Sequence, residues 1–114
     1  MSQPMIPVRL LGQGDVPALR QMLAMFGRAF DDPASYLRSQ PDDAYLAGLL
    51  ASPTFLAVAA EVDGAVVGGL AAYILPKFEQ ARSEVYIYDL AVDEAYRRRR
   101  VATSLIRLLQ REAA

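Results

Sequence analysis

The stretch Tyr88-Asp89-Leu90-Ala91-Val92, followed after a short charged connection by Arg97-Arg98-Arg99-Arg100, decides the fold of this 114-residue chain. The first part ends a run of aromatic and β-branched residues that begins at Glu84 and predicts a strand covered on both faces. The arginines precede a helical pattern over residues 101–112. A strand that turns into a helix is a common anion site, because the first helical turn has free N–H groups and a partial positive charge.

The run of four arginines allows more than one interpretation at this point. The guanidinium groups would add to backbone donors in holding a diphosphate. The run would equally form a solvated surface, or a basic patch for nucleic acid or a partner protein. A formal net charge of -1 makes nucleic-acid binding the weakest of these interpretations, and we expect none.

The remaining patterns predict one domain of mixed helices and strands. A first helix is capped at Asp15 and ended by Asp31-Asp32-Pro33, and a second begins at Pro41. Asp63-Gly64 is a two-residue hairpin signal between two apolar strands. The predicted strands cover residues 7–11, 54–62, 65–75 and 84–92. The predicted core contains Phe26, Phe30, Leu46, Leu49, Leu50, Leu105, Ile106 and Leu109.

The composition excludes several classes of site. The chain has no cysteine and no histidine, which rules out disulfides, thiolate zinc sites, a cysteine nucleophile and a histidine base. We therefore expect no metal. The start lacks a signal-like pattern, and the longest apolar stretch, Ala65 to Leu75, is too short to span a bilayer. These features predict a cytoplasmic protein that has no membrane partner.

Residues Leu90 to Ala102 resemble the motif of the GNAT N-acetyltransferases, Arg/Gln-x-x-Gly-x-Gly/Ala after a Leu-x-Val strand. Arg97 matches the first position and Ala102 the last. The likeness extends to the aminoglycoside 3-N-acetyltransferases of the gentamicin type and runs from roughly the first helix to the end of the chain. The segments that carry it are Met25–Phe30, Ala71–Gln80 and Arg82–Val92.

The resemblance implies an α/β (α+β) fold of the acyl-CoA N-acyltransferase type, a single domain over residues 1–114 with a mostly antiparallel sheet flanked by helices. It implies acetyl-CoA as co-substrate and an amine of an aminoglycoside, an aminocyclitol, as acceptor. Such a fold continues with another strand, a helix and a hairpin, so we expect a C-terminally truncated unit. The implied cofactor-binding residues are Leu90, Ala91, Val92, Arg97, Arg98, Arg99, Arg100, Val101, Ala102 and Thr103.

Within that set, the main chain of Leu90, Ala91 and Val92 is expected to pair with the pantetheine arm as an added strand would. The N–H groups from Arg98 to Thr103 are expected to hold the diphosphate. Arg100 stands where the motif has its central glycine, which accepts unusual dihedral angles. An arginine there serves the site if its backbone is helical and its side chain points outward, and otherwise it blocks the cofactor.

Acetyl transfer to an amine needs a base for the amine and a proton for the departing thiolate. Asp89 is the predicted base or amine-orienting carboxylate, unless it is a structural carboxylate paired with an arginine. Tyr86 and Tyr88 are the predicted proton donors, with strand packing as their alternative role. A polycationic acceptor needs an acidic pocket, for which the candidates are Asp31, Asp32, Tyr36, Glu79 and Glu84.

Two other functions stay open on the sequence. The acceptor could be a polyamine, an amino acid or a protein amine. The chain could also be an inactive, incomplete module that binds a partner or dimerises. The strand over Glu84 to Val92 would have an open edge in a truncated fold, and open edges invite pairing. This predicts a homodimer or an intertwined oligomer.

Overall fold

Four antiparallel strands form one sheet in the order β1-β2-β3-β4 in the computed structural model, which describes residues Met5–Ala113. The predicted mostly antiparallel sheet flanked by helices is therefore confirmed. The strands are β1 (Val8–Leu10), β2 (Phe55–Val62), β3 (Ala65–Pro76) and β4 (Ser83–Val92).

Helices cover both faces of this sheet. Helix α1 (Val16–Ala29) packs Leu19, Met22 and Phe26 on one face, whereas α4 (Val101–Ala113) packs Leu105 and Leu109 on the other. Each helix has its apolar residues at helical spacing, so burying one side of it removes a continuous apolar stripe from water. The helices are α1 (Val16–Ala29), α2 (Pro33–Leu37), α3 (Asp43–Ala51) and α4 (Val101–Ala113), with a 3₁₀ turn over Glu94–Tyr96.

The hairpin signal at Asp63-Gly64 is confirmed. The two residues have φ angles of 52° and 81°, both in the left-handed region that a type I′ turn requires. The backbone twist of this turn matches that of the strands, so β2 and β3 pair along nearly their whole length.

The prediction that the strand over Glu84 to Val92 is covered on both faces is wrong for its first half. The side chains of Val85, Tyr86, Ile87 and Tyr88 are 40%, 58%, 40% and 66% exposed. Within Met5–Ala113, the two apolar clusters reach β4 only at residues 90–92. Strand β4 therefore carries a bare aromatic half and a packed half.

Two further predictions need correction. Phe30 was expected in the core, yet it is 42% exposed, because α1 ends at Ala29 and, among the described aromatic rings, the Phe30 ring contacts only those of Phe26, at 5.7 Å, and Tyr36, at 6.0 Å. Residues 33–37 were expected in a loop but form helix α2. Asp32 caps this helix by accepting a hydrogen bond from the Ser35 N–H at 3.4 Å. Pro33, which was predicted to end the first helix, is the first residue of α2, a position where proline is favoured.

Candidate active site

A β-bulge on β4 shapes the centre of the candidate site. Asp89 pairs with Ala71 and Ile87 pairs with Ala72, so Tyr88 is an extra residue without a partner on β3. A bulge bends the strand and changes the direction of neighbouring side chains. Here it separates the exposed half of β4 from the packed half, and Asp89 is the first residue after it.

The carboxylate of Asp89 accepts a hydrogen bond from the Tyr36 hydroxyl, at 3.3 Å and 3.2 Å to its two oxygens. Burial raises the pKa of Asp89 above the ordinary 3.8, whereas the hydrogen bond from Tyr36 lowers it. Burial and the nearby Asp89 charge raise the pKa of Tyr36 to about 12. The tyrosine therefore stays protonated at neutral pH and keeps donating to the carboxylate.

Aromatic rings surround this carboxylate. A cavity of about 210 Å³ lies beside it, and we call this cavity the aromatic recess. Tyr73 and Tyr88 meet edge to face across it, with 5.9 Å between ring centroids. A carboxylate beside aromatic faces attracts a cation and tolerates a neutral amine. The aromatic residues that line the recess are Phe26, Tyr36, Phe55, Tyr73 and Tyr88.

The structure brings together only part of the predicted acceptor set. Tyr36 contacts Asp89, and the Asp32 charge contributes to the raised pKa of Tyr36. Asp31 is exposed and turns the chain with a φ of 51°. Glu79 and Glu84 form ion pairs with Lys77 at 3.7 Å and 3.9 Å, and neither lines the recess.

The predicted proton donors differ in position. Tyr88 lines the recess together with Asp89, whereas Tyr86 does not. Tyr73 and Phe55 were not predicted as site residues, yet both line the recess and pack on each other with 5.2 Å between ring centroids. Both belong to apolar strands and carry no sequence signal that separates them from core residues. Among residues 5–113, no arginine pairs with Asp89, whose side chain instead accepts from the Tyr36 hydroxyl.

The arginine loop, Arg97–Arg100, joins the 3₁₀ turn to α4. Arg98 and Arg100 have φ angles of 68° and 59°, in the left-handed region that favours glycine. The helical backbone considered for Arg100 is therefore not what the chain adopts. Arg100 instead keeps the conformation that a glycine would adopt without strain, and its side chain is exposed. The backbone conformation at this position suits a glycine, so the strain comes from the presence of a side chain.

Backbone N–H groups without a carbonyl partner lie at the start of α4. Within Met5–Ala113, the N–H groups of Arg100, Val101, Ala102 and Thr103 donate to no backbone carbonyl. A concavity of about 340 Å³ lies beside them and reaches Val92 at the end of β4. Unpaired N–H groups at the start of a helix attract an anion, and alternating backbone conformations add to this effect.

Arg97 contacts one of the residues predicted to hold the pantetheine arm. Its Nε donates to the carbonyl oxygen of Val92 at 3.1 Å. The guanidinium of Arg99 lies over the Tyr96 ring, 5.8 Å from its centroid. At Leu90 and Ala91, one edge of β4 pairs with β3. No strand among the described residues pairs with its other edge.

A family model for the acetyltransferase (GNAT) family matches residues 19–114, which is most of the chain. The chain belongs to the GNAT family. GNAT enzymes use acetyl-CoA. No curated protein matches this GNAT chain.

Solved structures give a finer comparison for this GNAT chain. An aminoglycoside acetyltransferase from an uncultured soil metagenomic sample is 50% identical, with a TM-score of 0.90 over 97% of this chain and 71% of that one. A second from such a sample, solved with sisomicin, is 29% identical, with a TM-score of 0.83 over 94% and 68%. A ribosomal-protein-alanine N-acetyltransferase from Brucella melitensis is 26% identical, with a TM-score of 0.69 over 96% and 72%.

Two further properties concern the part of this GNAT chain that the structure describes. No helix in Met5–Ala113 is both long enough and apolar enough to cross a membrane. The same residues contain no group of three or more metal-binding side chains.

Proposed function

We propose that this chain transfers the acetyl group of acetyl-CoA to an amine of an aminoglycoside, as a 3-N-acetyltransferase of the gentamicin type, and so confers antibiotic resistance. The observation that carries the proposal is the Tyr36–Asp89 pair beside the aromatic recess. Within this pair, Asp89 directly precedes Leu90, where the proposed cofactor-pairing run begins. The 50% identity to an aminoglycoside acetyltransferase supports the acceptor class.

Leu90, Ala91 and Val92 would pair with the pantetheine arm along the outer edge of β4. The helix start from Arg100 to Thr103 supplies free N–H donors for the diphosphate. Arg98 and Arg99 complete the basic surroundings of that group, and Arg97 fixes the turn by holding the Val92 carbonyl. This arrangement would direct the thioester toward Asp89, because the arm runs along β4 from the arginine loop.

The proposed chemistry uses the chain's own groups at two points. The Asp89 carboxylate takes a proton from the acceptor ammonium, and the neutral amine attacks the thioester carbonyl carbon. The C–N bond forms and the C–S bond breaks. Tyr88 gives its hydroxyl proton to the departing sulfur, since it lines the same recess as Asp89. The nitrogen, cationic after the attack, loses its second proton as the amide forms; this proton restores the Tyr88 hydroxyl through solvent, and Asp89 releases its own proton to solvent. Asp31 and Asp32 would attract other ammonium groups of the polycationic acceptor.

An acetylation assay over a panel of amines tests this proposal. The chain has no cysteine, so thiol released from acetyl-CoA is measured with a thiol reagent without protein background. We expect turnover with gentamicin and sisomicin and little with spermidine, free amino acids or peptide amines. The position of the acetyl group in the product, determined by NMR, tests 3-N selectivity. Turnover of a peptide amine alone would contradict the proposed acceptor.

A second candidate function is an inactive GNAT module that binds a partner. The left-handed Arg100 favours it, because a strained bulky residue lies where the diphosphate would approach. Titration calorimetry with CoA separates the two candidates. Binding in the micromolar to millimolar range typical of enzyme substrates supports the enzyme. If wild type does not bind CoA but Arg100→Gly does, the wild-type site is impaired.

We also propose a homodimer or intertwined oligomer in the cytoplasm. The argument is the bare half of β4, where Tyr86, Ile87 and Tyr88 are exposed on a strand with an unpaired edge among the described residues. Exposed apolar patches and strand edges favour association. Light scattering at increasing protein concentration tests this, and a clean monomer throughout would contradict it.

A further inference from the structure

Helix α2, which carries Tyr36, is too short to be stable by itself. It has five residues, Pro33–Leu37, and none of them is fully buried. Isolated helices shorter than about 12–15 residues are marginal in water, because the first turn fixes several dihedral angles for one hydrogen bond. The position of the Tyr36 hydroxyl beside Asp89 therefore depends on contacts between α2 and the rest of the chain.

The start of α2 is held by α1. The Asp32 N–H donates to the Gly27 carbonyl at 2.8 Å. A Cβ at Gly27 would lie 3.1 Å from the Cα of Pro33 and 3.6 Å from the Cβ of Tyr36, so the glycine lets the two helices approach closely. These contacts fix the start of α2, and its C-terminal end is held separately.

A network of three side chains, Arg20, Gln40 and Asp43, holds the end of α2, and we call it the Arg20 network. The Gln40 amide nitrogen donates to the Tyr36 carbonyl at 3.0 Å, and such carbonyls in the last turn have no partner within their helix. The Gln40 amide oxygen accepts from Arg20 of α1 at 2.7 Å. Arg20 also donates to the Pro41 carbonyl at 3.0 Å and pairs with Asp43 at 2.6 Å.

Arg20 determines the orientation of the Gln40 amide. A guanidinium group offers only donors, whereas an amide has one acceptor and one donating nitrogen. The Gln40 oxygen must therefore face Arg20, which turns the nitrogen toward the Tyr36 carbonyl. Gln40 and Arg20 are both partly buried, where hydrogen bonds are less weakened by solvent. The guanidinium thus fixes the amide, and the amide fixes the Tyr36 main chain.

We propose that Gln40 and Arg20 are positioning residues for acetyl transfer, which hold the Tyr36 hydroxyl against Asp89. The inference rests on the proposed role of Asp89 as the base. Within residues 5–113, neither residue lines the aromatic recess or the concavity beside the arginine loop, so both act through Tyr36. Without the network, α2 would shift and the hydrogen bond from Tyr36 to Asp89 would weaken.

Carboxyl ¹³C NMR of Asp89, with its signal assigned by the loss in Asp89→Asn, tests the inference without any need for turnover. The hydrogen bond from Tyr36 lowers the pKa of Asp89, so Gln40→Met should raise this pKa, and Tyr36→Phe should raise it further. Methionine keeps the length of the side chain and removes the amide. Asp32, Tyr73 and Tyr88 also face the pair, and all of these variants retain them.

Gln21→Met is the matched control. Gln21 neighbours Arg20 on α1, and its amide also bridges two elements, accepting from the Val66 N–H at 3.0 Å and donating to the Gly64 carbonyl at 3.5 Å. Its loss should lower stability much as the loss of Gln40 does, which chemical denaturation measures. The pKa of Asp89 should stay at its wild-type value, because these contacts lie at the β2–β3 turn.

Steady-state kinetics test the consequence for the reaction. We expect Gln40→Met to lower kcat about threefold near the acid limb of the pH–rate profile, the effect of one neutral hydrogen bond, and to leave KM for acetyl-CoA unchanged. In a Tyr36→Phe background the same substitution should have no further effect, because the hydroxyl that it positions is gone. An additive loss in the double variant would overturn the inference.

The remaining outcomes also decide the question. If Gln40→Met does not fold, Arg20→Met, which leaves the amide in place without its guanidinium partner, should raise the pKa of Asp89 in the same way. An unchanged pKa in the folded variants, or an equal change in Gln21→Met, would overturn the inference and leave the proposed function intact. A wild type that acetylates no amine would overturn the proposed function, and the NMR titration would still decide whether the Arg20 network holds Tyr36 against Asp89.

Discussion

Asp89 and the arginine loop belong to the same strand–turn–helix segment, yet the chain holds them in opposite ways. Asp89 is fixed by a residue 53 positions away, the Tyr36 hydroxyl, within a wall of packed aromatic rings. The arginine loop is built from residues adjacent in sequence, with two of them in left-handed conformations. Tertiary packing thus determines the carboxylate end, whereas local backbone geometry determines the basic end.

Each end carries an unfavourable feature of a different kind. Burial raises the pKa of Asp89, so its ionised form is less stable in the folded chain than in water. At the loop, the cost is steric, because a side chain at positive φ crowds the backbone. Such features persist where the surrounding structure holds them, and they cluster at functional sites. Substitutions at each end should therefore have different effects.

The largest effect is expected for Asp89→Asn. Asparagine has the same shape and still accepts from Tyr36, but it takes no proton from an amine. We expect kcat to fall about 10²-fold or more, the usual contribution of a general base. Steady-state rates with a saturating aminoglycoside measure this. Glu84→Gln, which neutralises an ion-paired carboxylate outside the recess, is the control and should keep its activity.

Asp89→Asn also tests how the carboxylate affects the free energy of unfolding. The raised pKa means that the folded chain binds the Asp89 proton more tightly than the unfolded chain does. The group therefore lowers the free energy of unfolding as the pH rises from the ordinary value of 3.8 through the folded pKa. Asp89→Asn should be more stable than wild type at neutral pH. A less stable variant would indicate that the carboxylate is mainly structural.

Two neighbouring glycines of β3 perturb the ends separately. A Cβ at Gly69 would lie 2.5 Å from Met22 of α1, and one at Gly68 would lie 2.9 Å from Val101 of α4. Gly69→Ala and Gly68→Ala should each cost about 1–3 kcal/mol of stability through overpacking. We expect Gly69→Ala to raise KM for the acceptor and Gly68→Ala to raise KM for acetyl-CoA. Equal effects of both variants on both KM values would contradict the separation.

The contrast between the ends also explains what the sequence predicts. The strands, the Asp63-Gly64 turn and α4 follow from local patterns, and so does the basic character of the loop. The Tyr36–Asp89 contact does not follow from local patterns, because it depends on α2. The sequence pattern predicted that Pro33 ends a helix, whereas Pro33 begins α2. Tyr73 and Phe55 resemble ordinary strand residues until the packing places them around the carboxylate.

The left-handed loop shows the other limit of sequence reasoning. The motif marked Arg100 as a departure from glycine, but it gave no reason to expect the same conformation at Arg98. The bare half of β4 was likewise unpredictable, because its apolar residues are typical of a covered strand. The β-propensity of a residue describes the backbone conformation that it prefers, whereas the burial of a strand depends on which elements pack against it.

A smaller effect is expected for Tyr36→Phe, which removes the hydroxyl and keeps the ring. The hydrogen bond lowers the pKa of Asp89, so its loss should move the acid limb of the pH–rate profile to higher pH. We expect about a tenfold lower kcat near that limb, as for a hydrogen bond to a charged group, and a smaller loss at high pH. Tyr45→Phe, on an exposed tyrosine of α3, is the control. An unshifted acid limb would contradict the positioning role of Tyr36.

The smallest effect is expected for Arg100→Gly. Glycine adopts the φ of 59° without strain, which gains about 1–2 kcal/mol, and loses about 0.5–1 kcal/mol through the freedom of the unfolded chain. Chemical denaturation should therefore show a net gain of about 0.5 kcal/mol. Arg38→Gly, at a helical φ of -68°, has no strain to relieve and should lose stability. If Arg100→Gly gains stability but binds CoA more weakly, the guanidinium contributes to binding despite the strain at its backbone, and charge rather than backbone access governs the basic end.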